Sequence, residues 1–121
     1  MSTYFWVFIG GGLGSMCRYG ISHALSNYEL DFPWATFLAN ALACIVLGIL
    51  VGLSLNGQIP DARYRLMLIT GFCGGFSTFS TFSNETFILF QSGEYTYAMA
   101  NILGSLLVCL GCIFMGLKLV Q

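Results

Sequence analysis

The sequence predicts an all-α integral membrane protein with four transmembrane helices per subunit, in a single domain over residues 1–121. The first observation is composition, because 57% of the residues are hydrophobic and only 7% are charged, against about 25% charged in soluble domains. The second is spacing, because four apolar runs, each near the roughly 20 residues that a span needs, use nearly the whole chain. The third is the net charge of −1 without a basic patch, which disfavours nucleic acid as a partner.

The first span is expected from about Tyr4 to Leu25. The preceding residues, Met1-Ser2-Thr3, hold no basic group, and the apolar run exceeds signal-peptide length, so a retained span is predicted. Gly10 and Gly14 form a small-xxx-small face that allows close helix contact. A phosphate-binding loop is the alternative reading of these glycines, but no strand precedes them and no Lys-Ser/Thr follows.

The second and fourth spans have short polar connections on their N-terminal sides. Residues 26–32 are predicted to form a loop, and the second span to run from about Pro33 to Leu55, with Pro33 in the first helical turn. Gly48 and Gly52 add another close-contact pair. The fourth span is predicted from about Tyr95 to Val120.

The third span, from about Arg63 to Phe90, is the irregular one. It holds five hydroxyl residues within the heptapeptide Ser77–Ser83, directly after Phe76 and the pair Gly74-Gly75. Glycine and hydroxyl side chains disfavour an uninterrupted helix, so a break is predicted near Gly74 to Thr78, with a straight hydrogen-bonded helix as the alternative. Backbone carbonyls freed at such a break suit a monovalent cation.

The polar side chains of the spans favour a small anion. Ser77, Thr81 and Glu85 are spaced i, i+4 and i+8 and are predicted to form one stripe. Hydroxyl, amide and guanidinium donors can replace the water that a strongly hydrated anion loses. Phe79 and Phe82 share a helix face and could meet an anion with their positive ring edges, whereas a carboxylate at Glu85 would repel it.

The polar residues predicted to lie within the spans form one set, which consists of Arg18, Thr36, Asn40, Ser77, Ser80, Thr81, Glu85, Asn101 and Ser105. In a pore, Arg18 would supply positive potential at the mouth. The alternative is that the set serves only to hold helices together, as Ser, Thr and Asn commonly do.

Five cysteines lie in the apolar runs. Cys109 and Cys112 have the spacing of a metal or redox pair, but no second pair or well-placed histidine completes a zinc site. The cysteines are therefore interpreted as small buried hydrophobic residues, and His23 as a lone side chain without a ligand role.

In the third-span motif and in several residues of the first two spans, the chain resembles the Fluc (CrcB) family of small fluoride channels. The match is carried by the run Gly71–Ser83, GFCGGFSTFSTFS, and extended by Gly10–Ser15, Arg18 and Asn40. The resemblance implies a homodimer of subunits inserted in opposite orientations, with two fluoride pores lined by both subunits. It implies passive fluoride export across a prokaryotic plasma (inner) membrane, which confers fluoride resistance.

The resemblance also implies roles for individual residues. Phe79 and Phe82 correspond to the pore phenylalanines, and Asn40 to the pore asparagine, with Thr36 one turn before it. The implied polar track and fourth-span pore positions are Ser80, Thr81, Glu85, Asn101 and Ser105. Family members hold a central structural sodium ion on backbone carbonyls, which here would belong to Gly74 and Ser77. The chain departs from the family at Ser77, where many relatives have Thr, and at Asn101, where some have Tyr.

The basic residues specify the orientation of the chain in the membrane only weakly. Arg63, Arg65 and Lys118 fall on one side and Arg18 on the other, a weak positive-inside bias that is compatible with insertion both ways.

A small multidrug transporter is the first rival function, and it is disfavoured because the first span holds no acid. A scaffold subunit without transport activity is the second rival. An enzyme is not expected, because no nucleophile–base or metal constellation is visible, and no nucleotide motif appears.

Overall fold

The computed structural model describes residues 2–121, and within them every regular element is helical. Met1, which the predicted domain includes, lies outside the described residues. The elements are α1 (Thr3–Ala24), α2 (Trp34–Leu55), α3 (Ala62–Arg65), a π-helical segment π1 (Leu66–Cys73), α4 (Gly74–Phe76), α5 (Phe79–Gln91) and α6 (Tyr95–Leu119).

Three helical stretches of the described chain are long and apolar enough to cross a membrane. They are Trp34–Leu55, Ala62–Gln91 and Tyr95–Leu119, which agrees with an integral membrane protein. Helix α1 has 22 residues and is therefore about 33 Å long, but it is not one of the three by composition. Its run of glycines and polar residues such as Arg18 lowers its apolarity.

Helix α1 packs against the first half of the third stretch through glycine. A Cβ atom on Gly10 would overlap the carbonyl oxygen of Met67, and one on Gly14 would overlap that of Phe72. Both glycines are buried. The predicted close-contact face of the first span is therefore confirmed, and its partners are the backbones of π1 and α4.

Helices α2 and α6 form the most extensive helix pair. A Cβ on Gly48 would overlap the carbonyl oxygen of Ile113, and one on Gly52 would overlap the side chain of Val120, so the predicted pair Gly48 and Gly52 is confirmed as a contact surface. Because the contacts advance in the same direction along both helices, α2 and α6 run parallel. The same reasoning makes α1 parallel to the π1–α4 stretch, since Gly10 and Gly14 meet successive turns of it.

The third stretch is interrupted where the sequence predicts. Helix α4 ends at Phe76, Ser77 is extended with a ψ of 157°, and Thr78 is extended with φ −152° and ψ 124°. Helix α5 then begins at Phe79. The predicted break near Gly74 to Thr78 is confirmed, and the alternative of a straight helix is wrong. The interruption leaves the N–H and the carbonyl of Thr78 without a helical hydrogen-bond partner.

The connection before α3 is fixed by Asp61. One carboxylate oxygen accepts from the backbone N–H of Arg63 at 2.8 Å, and the other pairs with its guanidinium at 2.7 Å. Hydrogen bonds from Arg63 hold the pKa of the Asp61 carboxyl below its usual value. This cap starts the third stretch at the edge of the apolar region.

Candidate functional site

The side chain of Asn40 binds both polar backbone groups of Thr78 at the helix break. Its Oδ1 accepts from the Thr78 N–H at 2.7 Å, and its Nδ2 donates to the Thr78 carbonyl at 3.2 Å. The amide therefore takes the place that a neighbouring strand or helix turn would fill, which a buried backbone requires. Since Nδ2 carries two protons, one N–H remains for another acceptor.

Further hydrogen bonds hold the two helix ends on either side of the break. The Ser77 hydroxyl and N–H both donate to the Cys73 carbonyl, at 2.8 and 3.0 Å. Arg18 Nε donates to the Gly75 carbonyl at 3.1 Å. On the other side, Thr78 Oγ1 caps α5 by accepting from the Thr81 N–H at 3.3 Å. Hydroxyl side chains of the heptapeptide thus form hydrogen bonds with nearby backbone groups.

Ser80 lies on the exposed side of this cap. Its hydroxyl is 3.2 Å from Thr78 Oγ1, and the residue is exposed. The first turn of α5 therefore presents the Ser80 hydroxyl at the surface of the described chain, beside the half-buried Thr78.

The carbonyls of Gly74 and Ser77 lack the side-chain hydrogen bonds that the neighbouring carbonyls of Cys73 and Gly75 accept. Within residues 2–121, no hydrogen bond outside the helices reaches either oxygen. Gly74 is exposed, and a Cβ built on it would meet no atom within 4 Å. These two carbonyls, which the family resemblance implies as sodium ligands, are chemically able to act as hard oxygen ligands.

A groove of about 270 Å³ lies beside the break, between α2, α5 and α6. Five of the predicted site residues line it, namely Asn40, Ser77, Phe79, Phe82 and Ser105, together with Thr78. The rings of Phe79 and Phe82 have centroids 5.6 Å apart, which confirms that they share a face. Phe79 is 78% exposed, so its ring edge is open to a ligand or to a second subunit.

Three other predicted residues meet in a smaller cavity of about 120 Å³. Arg18 approaches it from α1, Thr36 from α2 and Thr81 from α5. A guanidinium beside two hydroxyls provides only donors and one positive charge when the hydroxyls turn toward a ligand. This arrangement suits an anion.

Glu85 lines a third cavity, of about 190 Å³, with Asp31 of the α1–α2 loop. Its Oε1 is buried and has no hydrogen-bond partner in the described chain. An acidic side chain here lies one helical turn from Thr81, so the second and third cavities follow one another along α5.

The predicted stripe of Ser77, Thr81 and Glu85 is wrong as a single helix face. Each of the three lines a different cavity. The physical reason is the break itself, because Ser77 precedes the start of α5 and its extended backbone removes the i, i+4 relation to Thr81. Thr81 and Glu85 remain one turn apart on α5.

Asn101 and Ser105 belong to a buried chain of hydrogen bonds. The Ser105 hydroxyl donates to Asn101 Oδ1 at 3.1 Å, Asn101 Nδ2 donates to Thr86 Oγ1 at 2.9 Å, and Thr86 Oγ1 donates to the Phe82 carbonyl at 2.8 Å. Asn101 is 2% exposed and Ser105 is 6% exposed. Ser105 also reaches the large groove, whereas Asn101 is enclosed between α5 and α6.

Two residues of the site were missed from the sequence. Thr78 provides the backbone that Asn40 binds, and Thr86 links Asn101 to α5. The position of Thr86, four residues after Phe82, was the available signal, because a threonine can bond to the carbonyl one turn back. No spacing in the sequence indicates that Asn40 binds Thr78.

Comparisons with known proteins place the chain in a family. The sequence model of the family described as CrcB-like protein, Camphor Resistance (CrcB), matches residues 5–117. A protein of Pyrococcus abyssi named fluoride-specific ion channel FluC is 46% identical over 121 residues, covering 100% of this chain and 98% of the relative. A protein of the same name from Pyrococcus horikoshii is 48% identical over 113 residues, covering 93% of this chain and 91% of the relative. With its sequence matched almost from end to end, the chain belongs to the CrcB family.

Proposed function

We propose that this protein is a passive, fluoride-selective ion channel and not an enzyme or a coupled transporter. The observation that carries the proposal is the groove beside the helix break, where Asn40 and two adjacent phenylalanine rings converge. The names of relatives at 46 and 48% identity supply the ion. Amide donors and ring edges match fluoride, since both offer positive partial charge.

The proposed pathway joins the large groove to the cavity at Arg18. Phe79, Phe82 and Asn40 would contact fluoride in the groove, with Ser105 on its α6 wall, and Thr36 and Thr81 would continue the track. Arg18 would raise the local concentration of anions. Ser80 and Glu85 are the remaining members of the proposed track, and Asn101, which is enclosed behind Ser105, would contribute by holding the Ser105 hydroxyl.

The physiological logic is passive export. Fluoride enters a cell as neutral HF from an acidic medium, ionises in the cytoplasm and is trapped there. A conductance for the ion lets it leave down its gradient without ATP, which gives fluoride resistance. We place the channel in the inner (plasma) membrane of a prokaryote.

We further propose four crossings per subunit and an antiparallel homodimer with two pores. Support for α1 as a crossing comes from packing, because α1 runs parallel to the π1–α4 stretch and α2 runs parallel to α6. In a chain whose four crossings alternate in direction, the first crossing is parallel to the third and the second is parallel to the fourth. The exposed faces of Phe79 and Gly74 are suited to contact with a second subunit.

A structural sodium ion at the dimer axis is the last part of the proposal. The carbonyls of Gly74 and Ser77 are free of hydrogen bonds from outside the helices and could each provide a ligand. Two subunits would together supply four oxygens. Backbone released by a helix break is stabilised within a membrane when it meets an ion.

A voltage-driven flux experiment tests the proposal. Liposomes that contain the full-length protein, potassium and fluoride should release fluoride slowly until valinomycin permits compensating potassium efflux, because a bare anion conductance builds up a membrane potential. Equally rapid release without valinomycin would indicate coupled or electroneutral transport and contradict a passive channel. A reporter fused at the C-terminus should appear on both membrane faces, and a one-sided signal would contradict antiparallel assembly.

A further inference from the structure

The large groove holds a pair of thiols that fluoride passage does not use. Cys44 of α2 and Cys109 of α6 both line it, and both are free and half-buried. Helices α2 and α6 pack against each other and bring both residues to the same groove. Two thiols from different helices therefore line one groove.

Helix packing pairs Cys109 with Cys44, whereas the sequence spacing singles out Cys112. One turn beyond the two thiols, a Cβ atom on Gly48 would overlap the carbonyl oxygen of Ile113, so the parallel helices α2 and α6 are in close backbone contact there. This tight contact brings the side chains one turn earlier together. Cys112 is buried on α6 and is not part of the groove lining.

The chemistry of two facing thiols selects a particular class of ion. Thiolate sulfur is a soft ligand, and two ligands suit a d¹⁰ cation that accepts linear coordination. Within the described chain no group of three or more His, Cys, Asp or Glu residues could hold a metal, which disfavours a tetrahedral zinc site.

The charge of the metal–thiolate complex favours a divalent over a monovalent ion. The groove wall around the thiols is apolar and includes Leu106, Leu110 and Ile113, where an uncompensated charge is costly. When Hg²⁺ binds two thiols, two sulfur–metal bonds form, two protons leave to water, and the bis-thiolate complex is neutral. A monovalent ion bound in the same way would leave a charge of −1.

We propose that Cys44 and Cys109 form a two-thiolate site for a soft, divalent, two-coordinate cation of the Hg²⁺ type, within the groove beside the helix break. Because Asn40 and Phe82 line the same groove, an ion held there occupies space beside them. Occupation of the site therefore obstructs the groove. This consequence for fluoride rests on the proposed function, whereas the binding site itself does not.

The test uses the full-length protein in detergent and in liposomes, with HgCl₂ as the probe. After loading and a wash with a competing monothiol, which strips ions held by single thiols, mercury per chain is measured by mass spectrometry. We expect one retained ion per chain, its loss in both Cys44→Ser and Cys109→Ser, and no greater loss in the double variant. Cys17→Ser is the matched control, since Cys17 is exposed on α1, and it should keep the ion.

Three outcomes would overturn the proposal. Retention of mercury in Cys44→Ser would remove that thiol from the site, and equal loss in Cys17→Ser would show that binding is not specific to the groove. Retention with unchanged fluoride efflux in a protein that conducts fluoride would refute the obstruction. If the untreated protein conducts no fluoride, the retention measurements still decide the site, and the proposed function fails separately.

Discussion

Replacing Asn40 by aspartate tests the dual role of this side chain most sharply. The carboxylate keeps an acceptor for the Thr78 N–H, which Oδ1 now binds at 2.7 Å. It loses the Nδ2 donor that reaches the Thr78 carbonyl at 3.2 Å. The substitution also places a negative charge on the wall of the groove, with little change in side-chain volume.

The structural and the electrostatic effects of this substitution differ in size. Loss of this bond leaves the part-buried Thr78 carbonyl without its donor, which costs about 1–3 kcal/mol of folding stability, so we expect the protein to remain folded. A carboxylate about 4 Å from a passing anion costs about 4 kcal/mol at an effective dielectric constant of about 20. That energy lowers the occupancy of the groove by fluoride roughly a thousandfold. Flux should therefore collapse while the fold persists.

The assay is fluoride efflux from liposomes, measured with a fluoride electrode alongside gel filtration of the same protein. Asn56→Asp is the matched control, because the Asn56 amide also donates to a backbone carbonyl, that of Val120 at 3.0 Å, but at an exposed position outside the groove. We expect Asn40→Asp to abolish flux and Asn56→Asp to preserve it. Normal flux through Asn40→Asp in a folded protein would refute the assignment of Asn40 to the pathway.

Three further outcomes are expected. Phe79→Ile should abolish fluoride efflux without changing the elution volume, because it removes an exposed ring edge; wild-type flux would remove Phe79 from the pathway. Gly14→Ala should lower the thermal unfolding midpoint, because the methyl group overlaps the Phe72 backbone, whereas Gly12→Ala meets no atom within 4 Å and should keep or raise the midpoint; a Gly14→Ala midpoint no lower than that of Gly12→Ala would contradict the packing. Prolonged sodium removal should inactivate the channel if carbonyls at the break hold the ion, and sustained efflux without sodium would argue against that site.

The position of the helix break could be predicted from the sequence because its causes are local. Gly74 and Gly75 carry little helix propensity, and the hydroxyls that follow can satisfy backbone groups themselves. Ser77 and Thr78 do so in the structure. The glycine contacts at Gly10 were predictable for the same reason, since small-xxx-small spacing acts within one helix.

The arrangement of the polar residues could not be predicted, because it depends on contacts between helices. Spacing alone aligned Ser77 with Glu85, but the extended backbone at the break rotates α5 relative to what precedes it. The pairing of Asn40 with Thr78 joins residues 38 positions apart, and no local pattern marks the partner. Likewise, Cys109 faces Cys44 because α2 and α6 pack in parallel, which the spacing to Cys112 does not reveal.

The most direct test of the central claim is ion selectivity in a purified system. Liposomes that contain only this protein, loaded with fluoride or with chloride, are diluted into an ion-free medium with valinomycin, and efflux is followed with the matching electrode. The account predicts rapid loss of fluoride and retention of chloride. Equal loss of both ions, or no loss of fluoride from well-folded protein, would contradict a fluoride-selective channel.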